Sequence, residues 1–203
     1  MRSGIALVFV LFLVAAAGAQ VTVKGDAAAW REVLAAFENL AKVKSFRMKM
    51  EPVGQTDGAF VIEKVPPDRS RVLIQSQQGV GIEMISVGNE VRSRVNTGPN
   101  QATPWQCRAA PVQARPEPDP LKAKGEVTIS RLPDATIDGA RARGYRSTMT
   151  FEGKPSHSRI FVLVDRNLPR RTEVLDDAGS KVEMTIDYYD FNAPITIDLP
   201  KCG

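Results

Sequence analysis

A change of period at one point in the chain limits its fold more than any other feature. Across residues 26–43 the apolar side chains recur at three- and four-residue spacing; after Ser45 they alternate with a period of two for most of the remaining sequence. Trp30, Val33, Leu34, Phe37, Leu40 and Ala41 share one helical face, and Arg31, Glu32, Glu38, Asn39 and Lys42 fall largely on the other. Asp26 suits the N-cap and the positive end of the helix dipole, and Lys42 and Lys44 suit the negative end. One helix with a broad apolar face, followed by many strands, predicts an α+β fold that is mostly β. The expected form is a curved antiparallel sheet wrapped around the N-terminal helix.

The first residues set the compartment. Arg2 supplies a positive start, residues 5–14 are apolar, and Ala17-Gly18-Ala19 is a small-x-small cleavage site. The apolar run is too short to span a bilayer and has the length of a signal peptide. Cleavage after Ala19 is expected, with residues 1–19 as signal peptide and 20–203 as one domain in the periplasm or outside the cell. No cysteine stands near the cleavage site to accept a lipid anchor. Without Arg2 the net charge is +3, too mild and scattered for nucleic-acid binding. An even pair of cysteines in an exported chain, Cys107 and Cys202, reads as a disulfide, with two free thiols as the alternative.

Along the chain, Phe46, Met48 and Met50 alternate with Arg47, Lys49 and Glu51. Strands follow at residues 59–65, 69–76, 79–87 and 90–95, separated by turn signals such as Gly88-Asn89. Residues 98–124 hold six of the 14 prolines and no sustained period. They read as an irregular loop, either a lid or a connector pinned by the disulfide. Alternation resumes at Val127 and Ile129. Tyr145, Met149 and Phe151 then share a face, residues 159–165 form an apolar strand, and Val182, Met184, Ile186 and Tyr188 alternate with polar residues. Ile195, Ile197 and Leu199 suggest a last short strand. The count is about ten strands, antiparallel throughout.

The stretch FVLVDRNLPRRTEVLDDAGSKVEMTIDYYDFNAPITIDLP resembles the closing strands of the LolA-like lipoprotein-carrier superfamily, which includes envelope lipoproteins of the LppX and LprG type and stress sensors of the RseB type. Its parts are a strand ending in Asp165, the bend at Leu168-Pro169-Arg170, a hairpin turn with a glycine, Tyr189 to Asn192, and a final segment ending in Pro200. The helix leading directly into a charged-apolar strand fits as well. The resemblance implies an incomplete barrel with an apolar cavity between sheet and helix. It also implies a role in binding acyl chains or whole lipids, as a carrier or as an envelope-stress sensor partnered with a membrane protein.

Catalytic chemistry is hard to assemble from this sequence. His157 is the single histidine and reads as a turn residue within 152–158; no G-x-S-x-G stretch accompanies it. One histidine and a cysteine pair make no zinc set. Gly79-x-Gly81 leads into a strand, not a helix, and so fails as a dinucleotide fingerprint. No cofactor and no metal are expected, and no enzymatic activity. A hydrolase built on His157 is the competing reading. Arginines near strand ends (Arg69, Arg71, Arg92, Arg94, Arg141, Arg143, Arg170, Arg171) fit either anionic head groups or solvated faces.

Apolar surface remains. Trp30 and Phe37 on the helix, with Phe46, Met48, Met50, Phe60, Ile62, Met84, Tyr145, Met149, Phe151 and Met184 on the strands, are the expected ligand-lining set, and Val72, Ile74 and Ile186 share their face. On periodicity alone such a stripe fits a packed core; the resemblance turns it into a cavity. The expected ligand is lipid or lipoprotein acyl chains, with an envelope membrane protein as donor, acceptor or signalling partner, and the expected state is a monomer.

Overall fold

The alternation that begins after Ser45 becomes one continuous sheet. The computed structural model describes residues 21–54, 58–75, 80–98, 101–109, 125–151 and 153–202. The expected signal peptide and the greater part of the 98–124 loop, residues 110–124, lie outside them, as do the side chains of Gln75, Arg108, Ala109 and Phe151.

The chain starts with β1 (Val21–Gly25) and α1 (Ala27–Leu40). A first meander follows: β2 (Phe46–Pro52), β3 (Ala59–Val65), β4 (Arg69–Gln75), β5 (Val80–Val87) and β6 (Glu90–Gly98). The short strands β7 (Gln101–Ala102) and β8 (Gln106–Ala109) both pair with β6. A second meander is built from β9 (Gly125–Ile137), β10 (Ala140–Phe151), β11 (Lys154–Leu163), β12 (Pro169–Leu175) and β13 (Val182–Tyr189). The two meanders join where β13 pairs with β2, giving the order β1-β9-β10-β11-β12-β13-β2-β3-β4-β5-β6-β7. The sheet does not close: β1 lies at one edge and β7 and β8 at the other.

The helix starts where the sequence places it. Asp26 caps it, accepting from the backbone N–H groups of Ala28 and Ala29 at 2.9 Å each. Entry into the helix requires Gly25: its φ is +83°, and a Cβ there would stand 2.4 Å from the Ile129 carbonyl oxygen. The helix ends at Leu40, short of residue 43, because Ala41 already serves as its C-cap. Its buried face, Ala29, Trp30, Val33, Ala36 and Leu40, lies on the concave side of the sheet.

Several expectations need correction. The pairing is not antiparallel throughout, since β1 runs parallel to β9, Val21 opposite Gly125 and Gly25 opposite Ile129. The helix and the whole first meander separate β1 from β9 in the chain, so no hairpin forces them antiparallel. Residues 154–158 are strand, not turn. His157 lies opposite Thr148 on β11, and its Nδ1 is 2.9 Å from the Thr148 hydroxyl. Pro155 is tolerated because β12 first meets β11 at Ser158, which leaves that end of β11 without a second neighbour. Part of the expected irregular loop is ordered as β7 and β8.

The segment with Ile195, Ile197 and Leu199 is not a strand. It alternates because one side of it is buried, not because it joins a ladder. Pro194 and Pro200 remove ladder donors, and the segment crosses the strands instead of running beside them. The crossing begins where Asn192 donates to the Ser45 carbonyl, and it passes Arg69, which donates to the Ile197 carbonyl at 2.8 Å. It ends at the Cys107–Cys202 disulfide. Arg69 and Cys107 both project from the convex face, so the tail forms a strap over the back of β2–β8.

Candidate ligand-binding face

Strand parity and register together define the concave surface. One ladder crosses ten strands: Arg131, Tyr145, Ile160, Thr172, Ile186, Met50, Phe60, Ile74, Ile82 and Val95. The next row from β13 to β6 is Tyr188, Met48, Ile62, Val72, Met84 and Ser93. The expected strand residues whose side chains are described do share one face, the face that carries the helix.

They divide into two environments. Trp30 and Tyr145 are buried in a core cluster with Ala29, Val33, Val127, Ile129 and Val162, and Met149 and Phe37 pack against it. Phe46 and Met48 are buried in a second cluster with Leu40, Ile186 and Tyr188, to which Met50, Ile62 and Met184 contribute partly buried side chains. Phe37 meets Tyr188 edge to face, with ring centroids 6.1 Å apart. Where the resemblance implies a cavity between sheet and helix, the residues directly beneath the helix are packed: Tyr145 has no exposed surface. Beyond the helix the same face opens. Met50, Phe60, Ile62, Val72, Ile74 and Met84 are half-buried, and Ile82 and Val95 keep 42% and 40% of their surface. Phe151 belongs to the expected set, but its side chain lies outside the described residues.

Within the covered part, one carboxylate fastens the helix to β9 and β10. Glu32, on the helix face read as solvent-facing, accepts from Arg131, from Arg143 Nη1 at 3.1 Å and from the Tyr145 hydroxyl at 2.5 Å. The Arg131 and Tyr145 hydrogen bonds hold its pKa below the usual carboxylate range. Burial, followed by the Glu32 bond, raises the Tyr145 phenol to about 12. The residues are too far apart in sequence for periodicity to reveal this cluster.

Arg131 and Arg143 meet Glu32 on the concave side, whereas the arginines of β2, β4 and β6 point away from the apolar floor. On the convex side, Glu83, only 2% exposed, is held between Arg71 (2.6 Å) and Arg94 (Nε at 2.7 Å). Arg94 in turn stacks on Trp105 at 4.5 Å. Arg47 pairs with Glu63 at 2.8 Å and with Asp190 at 2.6 Å, and Arg69 with Asp198 at 3.6 Å. Arg170 and Arg171 share Asp187. An open depression of about 440 Å³ lies at the ends of β11–β13, lined by Leu163, Asp165, Arg166, Arg170, Tyr189 and Asp190 among others. Its charges are already paired: Arg170 with Asp138 and Asp187, Asp190 with Arg47, and Asp165 with Arg166.

Sequence reading missed Ile82 and Val95, whose exposure depends on the limited reach of the helix, and Lys64. The alternation of Phe60 and Ile62 already placed Lys64 on the concave face. Burial lowers its pKa.

No protein-family model matches the sequence, and no curated protein does. Among solved structures the chain is similar to the lipoprotein LppX of Mycobacterium tuberculosis. The two share 12% identity over 86% of this chain and 100% of that one, with a TM-score of 0.60. It is also similar to MucB, at 15% identity over 86% of this chain and 62% of that one, with a TM-score of 0.45. In the Pseudomonas aeruginosa MucA/MucB complex the identity is 15%, over 83% of this chain and 56% of the other, with a TM-score of 0.41. The fold is shared with LppX: an open, curved half-barrel with one helix on its concave side among the described residues.

Proposed function

We propose that this protein is an exported, non-catalytic binder and carrier of acyl chains or another lipophilic ligand in the cell envelope. The observation that carries this reading is the open part of the concave face, where Phe60, Val72, Ile74, Ile82, Met84 and Val95 form apolar surface beyond the clusters packed on the helix. Exposed apolar residues scattered singly are ordinary; a registered patch across four adjacent strands is the kind of surface that takes a ligand. Each acyl methylene removed from water against it contributes roughly 0.8 kcal/mol. Methionine side chains adapt to chains of irregular shape, which suits cargo that must also leave.

Export is supported by the N-terminal sequence and by the Cys107–Cys202 disulfide, which suits an oxidising compartment. His157 is hydrogen-bonded to Thr148 on the convex face, away from the apolar surface. Among the described residues no helix is long and apolar enough to cross a membrane.

Displacement of a fluorescent fatty-acid probe tests the reading. The native protein should bind the probe, and Ile82→Asp and Met84→Asp should stay folded and lose it, because a carboxylate against acyl chains carries a desolvation penalty. Wild-type protein that binds no probe, together with no lipid in native mass spectra of protein taken from its own envelope, would remove the carrier reading.

A further inference from the structure

Among the described residues of β2–β6, the open apolar face contains one charged side chain. Lys64 lies opposite Phe46 on one side and Ser70 on the other, so its side chain shares the face of Phe60 and Ile62. Within the described strands β2–β6 the other concave positions are apolar, serine or threonine. The arginines of β2, β4 and β6 occupy the opposite face and meet carboxylates there. Lys64 has neither an ion-pair nor a hydrogen-bond partner among the described residues. It is partly buried, and desolvation alone pushes its amine down, with no neighbouring carboxylate acting against it.

Protection of a sheet edge does not account for this lysine. Inward-pointing charges guard edge strands, and β3 is a central strand, hydrogen-bonded to β2 and β4. A charge kept in an apolar, partly desolvated place without a partner costs stability. We propose that the missing partner is the ligand: Lys64 receives an anionic head group, and the cargo is an amphiphile with a carboxylate or phosphate at one end and acyl carbon at the other.

The layout along β3 supports this assignment. Lys64 is the second-to-last residue of the strand, so its long side chain reaches the end of the sheet with its stem on apolar neighbours. Ile62 and Phe60 lie about 7 and 13 Å further in, at roughly 3.3 Å per residue. Ser70 and Ser86 continue the Lys64 row and bring hydroxyl donors to the same level. Head-group chemistry is thus confined to one end, and apolar surface fills the rows behind it. The assignment rests on the reading of this face as a lipid site.

Matched ligand pairs separate the two. Palmitic acid and its methyl ester differ in the head charge and one methyl group; phosphatidic acid and the diacylglycerol of the same chains differ only in the phosphate. Displacement of the fluorescent probe should favour the charged member of at least one pair by about tenfold, the size of one charge-assisted hydrogen bond. Preference within one pair alone tells carboxylate from phosphate cargo, and inorganic phosphate by itself should displace nothing. Lys64→Met should bind both members as the wild type binds the neutral one, with a melting temperature at or above that of the wild type, and Lys64→Arg should keep the preference. The assignment fails if the wild type shows no preference, if the preference survives in Lys64→Met, if that variant weakens both members equally, or if inorganic phosphate alone competes. Wild type that binds the neutral members and ignores charge would overturn the head-group assignment and leave the lipid site standing; binding of no member would remove both.

Discussion

On β10 the inward-facing Tyr145 has no exposed surface, whereas on β5, in the same ladder, the inward-facing Ile82 keeps 42%. Both occupy the concave face, and both lie in the interior of the sheet. They differ in what lies above them. The helix has 14 residues, about 21 Å at 1.5 Å per residue, and its side chains reach the second meander and β2. Strands β3–β6 lie beyond it. Alternation makes a face apolar; only a covering element makes it a core.

The two halves are also held together by different means. The covered half depends on packed apolar clusters and the Glu32 hydrogen bonds. The open half is tied from behind, by the ion pairs around Glu83, the tail strap and the disulfide. A wing that keeps one face available for ligand needs its stability from the other face.

The largest expected effect would sharpen this contrast. Replacing both Cys107 and Cys202 by serine should cost about 4–5 kcal/mol in the chain-entropy account of a loop this long, read by chemical denaturation. Hydrogen exchange should quicken in β6, β8 and the tail, and stay slow beneath the helix. Equal acceleration in both halves would mean that the strap does not stabilise the open wing in particular.

Next is a matched pair of truncations in one ladder. Ile186→Ala, in the packed cluster, should cost about 2–5 kcal/mol, and Ile82→Ala, on the open face, less than about 1 kcal/mol. Similar losses at both positions would break the comparison.

The Glu32 cluster gives a pH signature confined to the covered half. A carboxyl whose folded pKa is lowered contributes stability that is present above its unfolded value, about 4.3, and is lost as pH falls through the folded value. Tyr145 has the opposite sign. Its phenol is raised to about 12, so its contribution is complete below pH 10 and declines between about 10 and 12. Melting temperature against pH should therefore fall at both ends, and Glu32→Gln should flatten the acid limb. An unchanged acid limb in that variant would take the cluster out of the account.

The smallest effect belongs to the convex face of the covered half. Thr148→Val removes the hydrogen bond to His157 and should cost about 0.5–1.5 kcal/mol, with probe binding unaltered. Lost binding would place this surface in the site after all.

Much of this was legible in the sequence and some was not. Asp26 as a cap, the helix it opens, the shared face of Met48, Phe60, Met84 and Tyr145, and the pairing of Cys107 with Cys202 follow from local chemistry or from counting. Backbone geometry sends alternate side chains to opposite faces whatever the partner strand is, so the period identified the faces before any pairing was known. Tertiary structure alone decided which part of that face is covered. It decided that β1 joins β9 in parallel, that Ile197 alternates on a strap, and that Glu32 serves Tyr145 instead of water. It also decided that Lys64 has no partner among the described residues while Arg71 and Arg94 share Glu83. Each of these depends on which distant residues meet across the sheet and on how far one helix of fixed length reaches. A local period does not record either one.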